Sequence, residues 1–472
     1  MRTRTHREMD PSQNAAPRTN IYEPSSSDSE TFRKPWTLPK QQEYVFVNIN
    51  IVDPVEGKIL PARTVHIADG KIVSTAISTT LDYKHSIGER AILIDSVGKY
   101  LCPGLIDAHV HLYSVPGSAD LNSSMATPAA VSYFRQPFQC KAMLERGYTT
   151  ARDCGGATLA LKEAIAEGVF PGPRLFIAGQ ALSQTGGHGD RRLAHESAAG
   201  TGCCEQEGLS TVVDGVPSVL QAARNQFRQG ADFLKIMVGG GVASPTDKLT
   251  NVQFTAEEIR AATDVASSYD TFATAHAYTP KAIRRAIENG VRGIEHGNFI
   301  DADTARFMAD NGVYLTPTLV TYQAMADPKY AAFLPRENQE KNKQVLEQGL
   351  QSIKIAHDAG VKLCLGSDLL SLLGVEQLKE FGLRAGVLGA AEVLRHATVN
   401  PAHLLRQEDR LGRVKDGFLA DLLVLNENPL EDITILERPD EHLLAVIKEG
   451  RVYSSRWSKL PVDVYERAKL LE

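Results

Sequence analysis

The sequence predicts an α/β protein, a (β/α)8 TIM barrel with a small β-sandwich domain built from both chain ends. Three observations carry this. Between 105 and 411, short apolar runs alternate with helix-period patterns, and eight such runs can be counted. Both flanks instead alternate β-branched residues around Asp-Gly and Glu-Gly turns. Within the central region, polar residues fall at the carboxyl ends of the apolar runs, where barrels of this kind keep their sites.

Residues 1–41 carry Arg, Ser, Pro and Asn with almost no apolar run. They bury too little surface to offset ordering entropy and read as a disordered extension, with SSSDSE at 25–30 a phosphorylation target. An apolar h-region is lacking, which points to a cytoplasmic protein over a secreted one; a mitochondrial presequence is a weaker reading, since Arg2, Arg4 and Arg7 are followed by Glu8 and Asp10.

Residues 44–104 are the first part of the β domain, with YVFVNINIVD, ARTVHIADGKIVSTA and AILIDSVGKYL as its strands. The second part, 412–455, has the same grammar around Asp416-Gly417 and Glu449-Gly450. Neither part closes a sheet alone, so they pair into a satellite sheet or sandwich, or else dock as separate hairpins. Residues 456–472 read as a C-terminal tail helix.

The eight central strands are placed at 105–112, 148–153, 174–179, 232–238, 271–277, 292–297, 313–319 and 361–368. Helices fill the gaps between them. The one opening at Thr255 carries a capping box with Glu258, and a long polar helix covers 336–359. Insertions at 188–214, 239–254 and 320–350 follow the third, fourth and seventh strands, where barrels keep specificity.

Composition excludes several classes. The net charge of −6 leaves no basic footprint for nucleic acid, and no apolar run is long enough to span a membrane. The six cysteines are scattered and read as thiols, Cys203 and Cys204 among them, with no role as ligands. A small-molecule partner is what remains.

His109 and His111 sit two apart in IDAHVHL, so strand alternation turns both imidazoles to one side, together with Asp107. Lys235, His276, His296 and Asp368 end later strands. Singly, His276 and His296 read as well as core histidines, and Asp368 as a helix cap. Lys235 is harder to dismiss, because an unpaired ammonium among DFLKIMV costs several kcal/mol, so it snorkels or is chemically changed.

Together, HVH at 109–111, Lys235, His276, His296 and the GSD ending at Asp368 resemble the binuclear metal-dependent amidohydrolase superfamily. ALSQTGGHGD at 181–190, GGGVASPTD at 239–247, GIEHG at 293–297 and ADLLVLNENPLEDI at 420–433 narrow the resemblance to its imidazolonepropionase-like branch. That branch includes Xaa-Pro and Xaa-Arg dipeptidases and fungal ochratoxinase, which the sequence resembles most.

The resemblance implies two divalent metal ions, Zn2+ above others, bridged by N6-carboxylated Lys235. His109 and His111 then hold one ion with Asp368, and His276 and His296 hold the second. Asp368 doubles as proton shuttle for a metal-bridging hydroxide that attacks the amide carbonyl. His188 contacts substrate or transition state, or is a solvated loop histidine. Tyr278 shares the His276 strand face and reaches substrate; the ochratoxinase-like pattern has histidine there, so specificity is expected to differ. Arg152 reads as a substrate-carboxylate ligand or as a core salt bridge with Asp153 or another neighbour. The implied activity is hydrolysis of a linear amide to a terminal amino acid, in N-acyl amino acids, dipeptides or ochratoxin A, by a homo-oligomer of two to eight chains. The alternatives are cyclic-amide hydrolysis or deamination, against which Lys235 weighs, and a non-catalytic scaffold, against which the full ligand set weighs.

Overall fold

The structure, a computed structural model, describes residues 34–78, 91–196 and 208–464. The SSSDSE stretch, the expected disorder up to residue 33, and Cys203 and Cys204 lie outside the described residues. A short unit ends at Thr37, whose amide donates to the Lys34 carbonyl at 3.0 Å, and a second unit runs from Leu38.

In the second unit, β1 (Tyr44–Asp53), β2 (Lys58–Ala68) and β3 (Lys71–Ile77) form a meander, followed by β4 (Ile92–Asp95) and β5 (Tyr100–Pro103). The β2–β3 turn is made by Asp69 and Gly70, with φ of 48° and 76°. Those left-handed values match the strand twist and explain the Asp-Gly pair there.

Next come β6 (Leu105–Val110), β7 (Tyr148–Asp153), β8 (Arg174–Ile177), β9 (Ala181–Ser183), β10 (Ser210–Val212), β11 (Leu234–Met237), β12 (Ala273–Ala277), β13 (Gly293–His296) and β14 (Tyr314–Thr316). The chain ends with β15 (Leu422–Leu425), β16 (Leu443–Lys448) and β17 (Arg451–Ser455).

Strands from the two chain ends share one eight-stranded sheet, in the order β17-β16-β15-β5-β1-β2-β3 with β4 also on β1. The join is antiparallel, Leu422 opposite Pro103 through Leu425 opposite Tyr100. Separate docked hairpins are thereby ruled out.

The central strands form two parallel sheets, β6-β7-β8 and β10-β9-β11-β12-β13-β14. Hydrogen bonds link them at both edges. On one side the Asp232 amide donates to the Ile177 carbonyl at 2.7 Å; on the other, segment 361–366 bonds Leu315 of β14 and Ala108 of β6. β6, β7, β11, β12 and β13 are buried at every position, as strands covered on both faces must be. Helices Ala129–Glu145, Val216–Arg228 and Ala256–Ser268 follow β6, β10 and β11, and both arms of the Thr255–Glu258 capping box are present.

Three expectations are corrected. The 361–368 strand contributes one bridge, Leu363 to Leu315, before the left-handed backbone at Asp368 turns the chain aside. A three-residue strand, β10, lies inside the 188–214 region read as an insertion, and another, β9, sits between the third strand and that region; runs that short carry no period. Of the expected tail helix over 456–472, residues 456–464 form turns, with Leu460 buried in the sheet core and Pro461 unable to donate the next helical hydrogen bond, and residues 465–472 lie outside the described residues. Among the described residues no helix is long and apolar enough to cross a membrane.

Candidate metal centre

β6 carries Asp107 and His109 on the same side, and His111 follows just beyond the strand. Both imidazoles are oriented through Nδ1. His109 Nδ1 lies 2.8 Å from Glu295 Oε2, and His111 Nδ1 lies 2.9 Å from the Gly155 carbonyl. A carbonyl only accepts, and so does an ionised carboxylate. Burial alone raises the Glu295 pKa, but Arg152, then Lys235, outweigh it and hold this carboxyl below its ordinary value. Each Nδ1 therefore carries the proton, and each Nε2 is left with its lone pair.

Those two Nε2 atoms are 3.3 Å apart, and Asp368 Oδ1 lies 3.5 Å from the first and 3.3 Å from the second. Three lone-pair donors converging on one point repel each other unless a cation sits among them. A mixed imidazole and carboxylate set of this kind suits a divalent metal, so the residues fit the ion. Burial disfavours charge on His111, yet Asp368 outweighs it and raises the His111 pKa.

Asp368 has φ of 50°, and its amide donates to the His109 carbonyl at 2.8 Å. Below it, Ser367 and Gln377 donate to Asp107, so Asp107 braces the Asp368 turn and does not face the three donors. His296, with φ of 75°, ends β13; its Nδ1 lies 2.8 Å from Thr318 Oγ1 and 3.0 Å from the Tyr322 hydroxyl. Left-handed backbone at two non-glycine residues of one site is strain of the kind that function retains. His276 Nε2 lies 3.1 Å from the Gly240 carbonyl, so its Nδ1 holds the lone pair.

The rings form a chain: His111 to His109 at 5.2 Å, His109 to His296 at 5.0 Å, His296 to His276 at 4.6 Å, and His276 to His188 at 4.1 Å. Burial above all keeps His109, His276, His296 and His188 well below the ordinary imidazole pKa, assisted first by Lys235 at His109, by His188 at His276, by His276 at His296 and by Arg191 at His188. Lys235 itself is 1% exposed, and no hydrogen bond or ion pair of its Nζ occurs among the described residues. A buried amine without a partner is the orphan that carboxylation would turn into a metal-bridging anion.

His188 packs on His276 with its Nδ1 2.9 Å from Ser244 Oγ, and Ser244 in turn donates to Asp247. A Cβ at Gly241 would meet the His188 ring at 2.0 Å, so only glycine fits there. The Tyr278 hydroxyl lies 3.0 Å from that of Tyr322, and both line the cleft with His111, His188 and Asp368.

The substrate role for Arg152 is corrected. Its side chain has no exposed surface, Nη2 lies 2.7 and 2.8 Å from the Glu295 oxygens, and Nε donates to the Ala108 carbonyl. The partner is Glu295, not Asp153, whose carboxylate takes the Leu112, Gly155 and Ala157 amides. Sequence reasoning passed over Glu295, though a carboxylate inside the apolar run VRGIEHG is the same signal that marked Lys235. Nothing local marks Thr318, Tyr322, Ser244 or Asp247.

A second histidine–carboxylate group, His357, Glu392 and His396, does not suit an ion. Arg384 Nη1 donates to His396 Nδ1 at 3.1 Å, which puts the ring proton on Nε2, facing Glu392; Arg395 also pairs with Glu392.

Residues 100–453 match the Amidohydrolase family. The chain belongs to the amidohydrolase family. This makes it a hydrolase acting on amide bonds. It is 28% identical to ochratoxinase of Aspergillus niger over 447 residues, covering 92% of each chain. Among solved structures, this amidohydrolase resembles a prolidase complexed with N-methylphosphonate-L-proline, with a TM-score of 0.84 and 39% identity over 88% of this chain and 100% of that one. It also resembles a Xaa-Pro dipeptidase with bound methionine, with a TM-score of 0.78 and 29% identity over 88% and 100% of the two chains. These likenesses set it in the imidazolonepropionase-like and Xaa-Pro dipeptidase-like branch of the family.

Proposed function

We propose that this amidohydrolase cleaves a linear amide joining an acyl group to a terminal amino acid, as in dipeptides, N-acyl amino acids or ochratoxin A. The observation that carries this is the convergence of His109 Nε2, His111 Nε2 and Asp368 Oδ1 within 3.5 Å beside an unpartnered, buried Lys235. The two parallel sheets act as one (β/α)8 barrel over 105–411, flanked by a β-sandwich from 44–104 and 412–455.

His109, His111 and Asp368 would hold one divalent ion and His276 and His296 the second, with carboxylated Lys235 shared between them. Two ions of the Zn2+ type supply positive charge that polarises an amide carbonyl and lowers the pKa of water. Asp368 takes the proton from the attacking water and delivers it to the leaving nitrogen. His188 lies against His276 on the cleft wall and contacts the reacting carbonyl group. Tyr278 packs edge-on against His276, and its hydroxyl meets that of Tyr322, which keeps the His296 ring in place.

The test is free amino acid release from ochratoxin A, a dipeptide panel and N-acyl amino acids by metal-replete protein. Release from any member supports a linear-amide hydrolase. No release from any of them, with two metal ions bound per chain, moves the reading to cyclic amides.

A further inference from the structure

The insertions at 239–254 and 320–350 meet at one turn. Residues 241–247 aim the Gly241 carbonyl, the Ser244 carbonyl and Asp247 Oδ1 at one place, and Lys341 Nζ of the helix Arg336–Asp358 fills it, at 3.2, 3.1 and 3.4 Å. Three acceptors facing one another repel unless a cation or a set of donors lies among them, and an ammonium has three N–H groups to give. One turn earlier on the same helix, Asn338 Nδ2 donates to the Val242 and Ser244 carbonyls. The turn is thus held from outside, by a side chain 94 residues beyond Asp247.

What the turn holds in its place is His188. Ser244 Oγ donates to Asp247 Oδ1, while Gln253 Nε2 at 2.8 Å and the Gly241 amide at 3.2 Å donate to Oδ2. Ser244 Oγ also lies 2.9 Å from His188 Nδ1, and Gln253 Oε1 accepts the His188 amide at 2.9 Å. Ring and backbone of His188 are therefore both fixed by side chains bonded to one carboxylate, and the ion-pair partner of that carboxylate is Lys341. The Asp247 side chain is 1% exposed and that of Lys341 20%, so solvent and salt screen the pair weakly. With the ammonium removed, a buried carboxylate and two inward carbonyls face one another, and the direct relief is for the turn to open.

We propose that the 241–247 turn is a monovalent-cation site whose cation is supplied by the chain itself, as Lys341, and that Lys341 acts through it as the positioning residue for His188. This rests on the reading of His188 as a group of the reacting site. Once the lysine side chain is cut back, the ligand that fits the two carbonyls and the carboxylate is a free ammonium or potassium ion.

Metal-replete wild type, Lys341→Ala, His188→Ala and the double variant are compared at constant ionic strength on whichever of the linear amides above is cleaved fastest. Lys341→Ala should lower kcat/KM about 10- to 100-fold, as displacement of a group beside the reacting atoms does, with metal content at the wild-type value. Ammonium should restore most of that loss saturably, and tetramethylammonium, which is too large and has no N–H to donate, should not. In the His188→Ala background the same substitution should cost less than about 2-fold, because the residue it acts through is already gone. Equal losses in both backgrounds, no loss in either, or relief by both cations alike would overturn the proposal.

Amide hydrogen exchange reads the same site without turnover. In Lys341→Ala the Gly241 amide, which donates to Asp247, should exchange at least about 10-fold faster than in wild type, and ammonium should slow it again. If no substrate is cleaved, that pattern keeps the Lys341 assignment while the linear-amide reading fails. Exchange that the substitution leaves unchanged, or that ammonium does not slow, sinks the assignment whatever the activity.

Discussion

Glu295 and His109 meet at the floor of the cleft, Oε2 to Nδ1 at 2.8 Å, both side chains at most 1% exposed. The same carboxylate holds Arg152, so one buried residue orients the imidazole and neutralises a buried guanidinium. Removing its charge should therefore show in two independent readouts. Glu295→Gln is expected to cost about 3–5 kcal/mol of stability, the penalty for leaving a buried charge unpaired. It should also weaken metal binding by about 10–100-fold, as loss of a ligand's orienting partner does. Thermal unfolding and metal titration measure the two; an unchanged metal affinity would show that His109 is held by packing alone.

Lys235→Ala removes the buried amine proposed to become a bridging carbamate among the imidazoles. Metal content should fall below two ions per chain and activity should be lost, as metal analysis and amino acid release will report. The purified variant keeping full activity would end the binuclear reading.

Gly241→Ala drives a methyl group to within 2.0 Å of the His188 ring, and His188 must leave its stack on His276. A displacement of that size near the reacting atoms is expected to lower kcat/KM about 100-fold. Metal content should stay at the wild-type value, since none of the proposed ligands moves. Activity within a few-fold of wild type would place His188 outside the reaction.

His396 is 1% exposed and bonded to Arg384. Burial above all holds its pKa down at about 4, with Glu392 opposing and Arg384 assisting. A folded pKa below the unfolded one means that the unfolded chain takes up the proton first as pH falls. The stabilising contribution is full above pH 6.5 and is lost between 6.5 and about 4, a change of about 3 kcal/mol at 1.36 kcal/mol per unit. His396→Gln should be less stable at pH 7 but lose less over that window. Parallel melting curves for both proteins against pH would count against this assignment.

Much of this protein was legible along the chain because the signals are short-range. Strand alternation turns His109 toward the same side as His111, a capping box opens the helix at Thr255, and Asp69-Gly70 makes the hairpin that its left-handed backbone requires. Each is set within a few residues of itself, by backbone geometry and side-chain period. The chemistry of Lys235 was legible as well, since an amine inside an apolar run costs too much to be idle.

Tertiary structure alone decided which charges meet. Arg152 and Glu295 are 143 residues apart, and only their pairing told a core ion pair from a substrate ligand. The adjacent arginines 191 and 192 are alike in sequence; folding gave Asp190 to the second and left the first facing the cleft. The join of β5 to β15, and the Tyr322 hydroxyl on His296, have the same origin. Sequence carries local conformation and the cost of burying a group, whereas a partner is chosen by distance in space, which exists only once the strands have packed.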